Sequence, residues 1–289
     1  PEVGVLKSLT EISACGHRVL LGGDKITQPV KVDEAVKQII RDYIPLGPLH
    51  NPANLMGIEA CEKIFPGTPN VAVFDTQFHQ TMAPEAYLYA IPYEFYKQYG
   101  IRKYGFHGTS HLYVSKRAAK MLGKPASECN IITMHIGSGA SATAIRGGVS
   151  VDTSLGMTPL AGLTMGTRPG DLDPGVVLYV MEQLNLSPAQ MQTHLSKDSG
   201  LKGITECFVD RRDVEENKSS NDSCRLAIDT EVHNVKKYIG AYMAELGHVD
   251  AIVFTAGVGE NDDYLREKFC TGLEEMGIKL DIEKNAKSL

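Results

Sequence analysis

The sequence predicts an α/β fold with open mixed sheets, on three observations. Short apolar, β-branched runs recur at 71–75 (VAVFD), 130–135 and 251–255 (AIVFT), the pattern of buried strands. Segments with apolar residues at helical spacing separate them. Glycine-rich turns follow two of the runs, GSG at 137–139 and GVGE at 257–260. Strands alternating with helices are the signature of an α/β architecture. With 289 residues, 43% of them apolar, the chain can build one large domain or two ordinary ones.

Along the chain, Val32, Ala35, Val36, Ile39, Ile40 and Tyr43 predict an amphipathic helix with Asp33 near its start. PLGPLHNP (45–52) breaks it, and Asn51-Pro52 reads as N-cap and first helical proline of a helix through Ile64. VAVFD then delivers Asp75 at a strand tip. Thr109 or Ser110 can cap a helix to Leu122, and Asn130–His135 is the next strand. HIGSGAS reads as strand, turn, strand, and VSVDT (149–153) as a further strand-like run. A long loop holding TRPGDLDPG (167–175) leads to helices over Gly175–Leu184 and from Ser187-Pro188. Ile228, Val232, Val235, Ile239, Met243 and Leu246 mark one long helix ending at Gly247. After AIVFT, the GVGEN turn leads into a helix from about Asp262 to Met276.

A net charge of −6 with no basic block argues against nucleic acid or an anionic membrane as partner. No stretch approaches 18 consecutive apolar residues, and no secretory leader is visible. Cys15, Cys61, Cys129, Cys207, Cys224 and Cys270 are far apart and form no CxxC pair, which predicts reduced thiols in a cytoplasmic protein. The start on Pro1 and the ending at Leu289 both read as cut ends.

The two glycine turns can present backbone N–H groups to phosphate oxygens, although a glycine turn is often only a turn. Neither is a Walker loop or a dinucleotide fingerprint. Arg18 and Arg168 sit beside glycines that leave the guanidinium uncrowded for a carboxylate or phosphate; a surface ion pair is the bland alternative. His50, His107 and His135 can each be satisfied core or surface histidines. His107, between an aromatic and a glycine at a helix entrance, can also donate to an oxyanion. Asp75 can hold a metal-bound water, orient a cation or cap a helix. DRRD (210–213) reads either as a solvated helix start or as a nucleotide contact.

Taken together, GHRVLLGG, PLGPLHNP, VAVFDTQFHQTM, RKYGFHGTSH, MHIGSGAS, VDTSLGMTPLAGLTMGTRPGDLDP and FTAGVGEN resemble, in the same order, the acetate kinases. The resemblance implies two ribonuclease-H-like domains of the superfamily of sugar kinases, actin and heat-shock ATPases, with the site in the cleft between them. Residues 1–77 would be the remnant of an incomplete first domain, and 78–289 the nucleotide-binding and dimerising second. The implied activity is ATP-dependent phosphorylation of acetate to acetyl phosphate, reversible and by direct in-line transfer. The alternatives are propionate kinase, or a nucleotide-binding remnant without turnover. The implied co-substrate is ATP or ADP with Mg²⁺ or Mn²⁺, and the implied assembly a homodimer.

By the same resemblance, Arg18 and Arg168 would hold the carboxylate and neutralise charge on the phosphoryl group. His107 would bond an equatorial oxygen and His50 would help position the group. Asp75 would support Mg²⁺, through water, and orient an arginine. His135 and the Gly137-Ser138-Gly139 turn would contact the ATP phosphates. Asp210, Arg211 and Arg212 would embrace adenosine together with Gly257, Val258, Gly259, Glu260 and Asn261. Leu20, Leu49, Phe106 and Pro159 would form the acetate methyl pocket.

The chain departs from that pattern at Leu21, Gly47, Gln77, Ser138, Ala161 and Thr205-Glu206. It also lacks the family's opening strand with its asparagine and its closing segment with a metal-binding glutamate. Leu20, usually valine, implies a tighter pocket worth ~1–3 kcal/mol against longer acids. Ser138 stands where an asparagine usually sits. Ser138→Asn is therefore expected to tighten ATP binding, measured by calorimetric titration; unchanged affinity and rate would count against a phosphate-facing turn.

Overall fold

The computed structural model describes residues 7–288 apart from residue 49. Strands β1 Cys15–Val19, β2 Val30–Lys31 and β3 Asn70–Phe74 form one sheet. Strands β4 Asn130–Ile136, β5 Ala140–Arg146, β6 Val149–Thr153 and β7 Ala251–Thr255 form a second. The helices are α1 Glu34–Asp42, α2 Asn51–Ile64, α3 Pro84–Tyr87, α4 Tyr93–Tyr99, α5 Gly108–Met121, α6 Pro174–Gln183 and α7 Pro188–Lys197. They continue as α8 Gly200–Thr205, α9 Arg211–Glu216, α10 Asp222–Leu246, α11 Ala256–Asn261, α12 Asp263–Cys270 and α13 Ile282–Lys287.

The first sheet has the order β1-β3-β2, with β1 parallel to β3 and β2 antiparallel to it. The parallel register sets Val19 beside Phe74, so Arg18 and Asp75 emerge at the same sheet end. Helices α1 and α2 cover a core of Val19, Val36, Ile40, Ile58, Ala72 and Phe74. Asp33 caps α1 by accepting from Val36 N at 2.8 Å, as the sequence predicts.

The start of α2 differs from expectation. His50 occupies the cap position and the Asn51 side chain turns inward, fully buried. Asn51 Nδ2 donates to the carbonyls of Leu21 (3.0 Å) and Ile40 (3.1 Å), and Oδ1 accepts from Leu21 N (3.2 Å). Beside it Asn54 Oδ1 accepts from Leu20 N at 3.0 Å. The segment leaving β1 is buried and outside the sheet, so its backbone needs side-chain partners. That need, rather than capping, is what Asn51 serves.

The second sheet, ordered β6-β5-β4-β7, joins an antiparallel β4–β5 hairpin to β7, which runs parallel to β4. His135 pairs with Thr255, so the Gly137–Gly139 turn and the start of α11 share one sheet end. Here too the helix begins earlier than predicted. Ala256 adopts φ 66° and turns the chain in a single residue, so α11 starts directly after β7. Asp262 then caps α12 through Leu265 N (2.8 Å), and the predicted single helix to Met276 is split. The main core lies between this sheet and α10, whose inward face includes Ile228, Val235 and Ile239, with Leu265 and Phe269 of α12.

Helix α5 also lacks the predicted Thr109 or Ser110 cap. It begins at Gly108, preceded by His107 in a left-handed conformation (φ 58°) with no side-chain cap. Gly108 N donates to the Asp75 carbonyl at 2.9 Å, and a methyl at Gly108 would lie 2.3 Å from that oxygen. Close docking of helix start on strand end decides the cap.

Asn51→Ala is expected to cost at least about 3 kcal/mol in urea unfolding, because three buried backbone groups lose their partner. Asn54→Ala, half-buried with one bond, should cost less; equal losses would overturn the assignment.

Candidate active site

Two cavities share the Gly137–Gly139 turn, and Arg168 of another reaches it. The first, ≈ 470 Å³, is bounded by Arg18, Asp75, His107, Ser110, His135 and the turn. Arg18 clasps Asp75 with both arms of its fork, Nε to Oδ1 at 2.9 Å and Nη2 to Oδ2 at 2.6 Å. The carboxylate is 1% exposed and the guanidinium 65%. Asp75 therefore fixes Arg18 while leaving it open to the cavity, and this bond raises the Arg18 pKa above its ordinary value.

His107 and His135 stack at 4.2 Å between ring centroids. His107 Nδ1 bonds Ser141 Oγ at 2.8 Å, and His135 Nδ1 bonds Ser110 Oγ at 2.9 Å. Burial, then the neighbouring His135 imidazole and the Arg18 and Arg168 charges, hold His107 well below the ordinary 6.5. Burial and Arg18 lower His135 likewise. Both rings are neutral near pH 7, so His107 enters the site as a neutral imidazole.

The second cavity, ≈ 230 Å³, is walled by Leu46, Gly47, Pro48, His50, Pro159 and Arg168. Arg168 Nη1 donates to the Pro159 carbonyl at 2.7 Å. A methyl on Gly139 would lie 2.5 Å from Arg168 Nη2, so glycine there lets the guanidinium reach the turn. Burial lowers the Arg168 pKa. His50 is lowered by burial and by the Arg168 and Arg18 charges, which places its ring within the field of both arginines. Of the predicted apolar pocket, Pro159 lines the cavity. Leu20 and Phe106 are buried side chains of the main core. Leu20 Cδ2 fills the space in front of Gly47, where an added methyl would lie 3.1 Å away. Leu49 lies outside the described residues.

The third cavity, ≈ 590 Å³, is lined by Gly137, Ser138, Asp210, Arg211, Arg212 and Gly257, with Val258 and Asn261 also on its wall. Asp210 caps α9 and takes the Arg212 fork at 3.0 and 2.6 Å, which holds its carboxyl down to about 2. Arg211 Nε pairs with buried Glu231 Oε2 at 2.9 Å, while its two Nη atoms are buried without a protein partner. Gly259 and Glu260 are not on this wall. Glu260 instead accepts from Thr255 Oγ1 (2.8 Å) and Ala256 N (3.2 Å), tying down the tight turn at Ala256.

Gly137 and Ser138 belong to both the first and third cavities, so the opening stretch of the hairpin divides them. Sequence reasoning missed Thr109, Ser110 and Tyr113 on the first turns of α5, and Gln192 and Ser196 beside Arg168. The spacing of Ser110 and Tyr113 places them on one helix face, but nothing local says that this face meets a cleft.

His79 is fully buried, with Nε2 donating to the Phe106 carbonyl and Nδ1 accepting from Ser150 Oγ, each at 2.9 Å. Burial pushes it from 6.5 down to about 4. An unfolded histidine binds a proton over that interval and His79 does not, so stability is full above pH 6.5 and falls toward pH 4. The loss from His79 alone should be on the order of 3 kcal/mol, read from urea unfolding at pH 7 and pH 4.5. Buried His107 and His111, also lowered, add in the same direction. A denaturation midpoint that does not move with pH would contradict this.

The Acetokinase family model matches residues 2–289. An acetate kinase of Trichlorobacter lovleyi is 56% identical over 289 residues, all of this chain and 69% of the relative. The crystal structure of Porphyromonas gingivalis acetate kinase superimposes with a TM-score of 0.93 at 48% identity, covering 98% of this chain and 71% of that one. A propionate kinase from Francisella tularensis gives 0.93 at 44% identity, covering 97% and 72%. These likenesses cover nearly the whole chain, both sheets and the residues lining all three cavities among them. The chain belongs to the acetokinase family.

Proposed function

We propose that the protein transfers a phosphoryl group reversibly between ATP and acetate, directly and in line. The observation that carries this reading is the reach of Arg168. It walls the small, largely apolar cavity and extends to the turn that also walls the larger cavity. A small carboxylate in one and a nucleotide in the other would meet at that guanidinium.

A carboxylate is ionised near neutral pH and attacks without a general base. The protein has to align two anions and offset charge on the equatorial oxygens. Arg18, held by Asp75, and Arg168 supply positive charge from two sides. Neutral His107 offers a hydrogen bond to a phosphoryl oxygen, and His50 lies near both arginines. The turn at Gly137–Gly139, with His135 beside it, brings backbone N–H groups to the phosphates. Arg211, held by Glu231, together with Asp210, Arg212 and the 257–261 segment would take adenosine.

The described residues do not fit a resident metal ion. No group of three His, Cys, Asp or Glu able to hold one occurs among them, and both Asp75 oxygens lie in the Arg18 fork. Mg²⁺ or Mn²⁺ is therefore read as part of the nucleotide substrate. Asp75 acts chiefly by fixing Arg18.

Three further readings accompany this one. The partition of the strands between two sheets supports units at 1–77 and 78–289. Exposed Tyr93, Tyr99, Leu178 and Tyr179 on α4 and α6 support a homodimer. Six free thiols suit the reducing cytoplasm. Propionate is a second acceptor candidate. Leu20 packs behind Gly47 of the cavity wall, so its extra methylene would narrow the pocket and favour acetate over longer acids.

The test is an acyl-hydroxamate assay with acetate, propionate and butyrate. Acetate should lead, and equal efficiency with butyrate would sink the acetate reading. Arg168→Ala should lower kcat by on the order of 10²–10³-fold, with thermal unfolding little changed. ATP binding without turnover by the intact chain would favour the inactive remnant instead.

A further inference from the structure

The proposed chemistry uses His107, yet two buried side chains behind it, His111 and Ser141, have no assigned part. Both are fully buried, as is Thr133. They form an unbranched hydrogen-bonded chain. Thr133 Oγ1 meets His111 Nδ1 at 2.7 Å, His111 Nε2 meets Ser141 Oγ at 2.8 Å, and Ser141 Oγ meets His107 Nδ1 at 2.8 Å. The chain starts on β4, passes through α5, returns to β5 and ends at the ring on the cleft wall.

We infer that Thr133, His111 and Ser141 are positioning residues that hold His107 in the tautomer with its proton on Nε2, facing the cleft. The inference rests on the reading of His107 as a hydrogen-bond donor to the phosphoryl group.

Direction decides the matter. Burial and neighbouring imidazoles lower both histidines well below 6.5, so each ring carries one proton at neutral pH. Two proton arrangements then satisfy the middle of the chain. In one, Thr133 donates to His111 Nδ1, His111 Nε2–H donates to Ser141, and Ser141 donates to His107 Nδ1. The proton of His107 is then on Nε2. In the other, every bond is reversed and His107 presents a bare Nε2.

The ends of the chain are not equivalent. Thr133 Oγ1 has His111 as its one partner among the described residues. In the reversed arrangement its O–H would be buried with no acceptor and out of reach of water, a costly state for a donor. The forward arrangement leaves no hydroxyl proton unmet. The unmet donor it creates is His107 Nε2–H, at the cavity wall, where an anionic oxygen can take it. A bare Nε2 would instead turn a lone pair toward that anion. His79 is separate from the chain, since its one ring proton goes to the Phe106 carbonyl and its Nδ1 accepts from Ser150.

The experiment is a two-bond proton–nitrogen correlation spectrum of the full chain with ¹⁵N-labelled histidine, with His107 assigned by its loss in His107→Gln. The expected result is a protonated Nε2 and a bare, hydrogen-bonded Nδ1 on His107. Thr133→Val removes the hydroxyl at equal size, so neither direction is favoured and His107 should show mixed tautomers. Thr133→Ser should restore the single form. In kinetics, kcat of Thr133→Val should fall with the lost population, about twofold to fivefold, with KM for both substrates nearly unchanged. A proton on Nδ1 of wild-type His107, or nitrogen shifts unmoved in Thr133→Val, would overturn the inference. If Thr133→Val does not fold, the wild-type tautomer still decides. A chain without kinase activity that shows these tautomers would uphold the positioning role and remove the kinase reading alone.

Discussion

The structure turns on Asp75. Its backbone N–H bonds the Val19 carbonyl at 2.9 Å, its carboxylate bonds Arg18, and its carbonyl receives Gly108 N. One residue thereby joins β1, the tip of β3 and the start of α5. A buried carboxylate without a counter-charge is costly, so Arg18 is held wherever Asp75 is. A helix start docked on a carbonyl leaves no room for a side chain at position 108. The left-handed turn at His107 follows, and with it the placement of that ring on the cleft wall.

Charge in the cleft runs against the charge of the chain. The protein carries a net −6, yet the walls of the first two cavities carry Arg18, Arg168 and neutral histidines. Four imidazoles lie close together: His79, His107, His111 and His135. Burial keeps them uncharged, aided at His107 and His111 by neighbouring imidazoles, so two anionic substrates meet a few fixed cations and a set of directed dipoles. Such groups need little reorganisation as charge moves, the property that makes electrostatic stabilisation effective in a closed site.

Where the sequence reads well, the signal is regional. The strand runs, the long helix ending at Gly247 and the Asp33 cap are patterns of many residues or of strong local preference. The misreadings fall on single residues. Asn51, Thr109 and Ser110 have the chemistry of caps, but Asn51 is drawn into satisfying a buried backbone and Ser110 into holding His135.

The sequence by itself determined the fold class, the order of the motifs and the residue types available to the cleft. These follow from periodicity and glycine placement, which are properties of the local chain. Only the tertiary structure decided which of those residues meet. Arg18 and Asp75 are 57 positions apart, and Thr133 reaches His107 through residues on both sides of the turn. The direction of a hydrogen bond in a buried chain depends on every group at its ends. That information exists only once β4, α5 and β5 are packed together and water is excluded from between them.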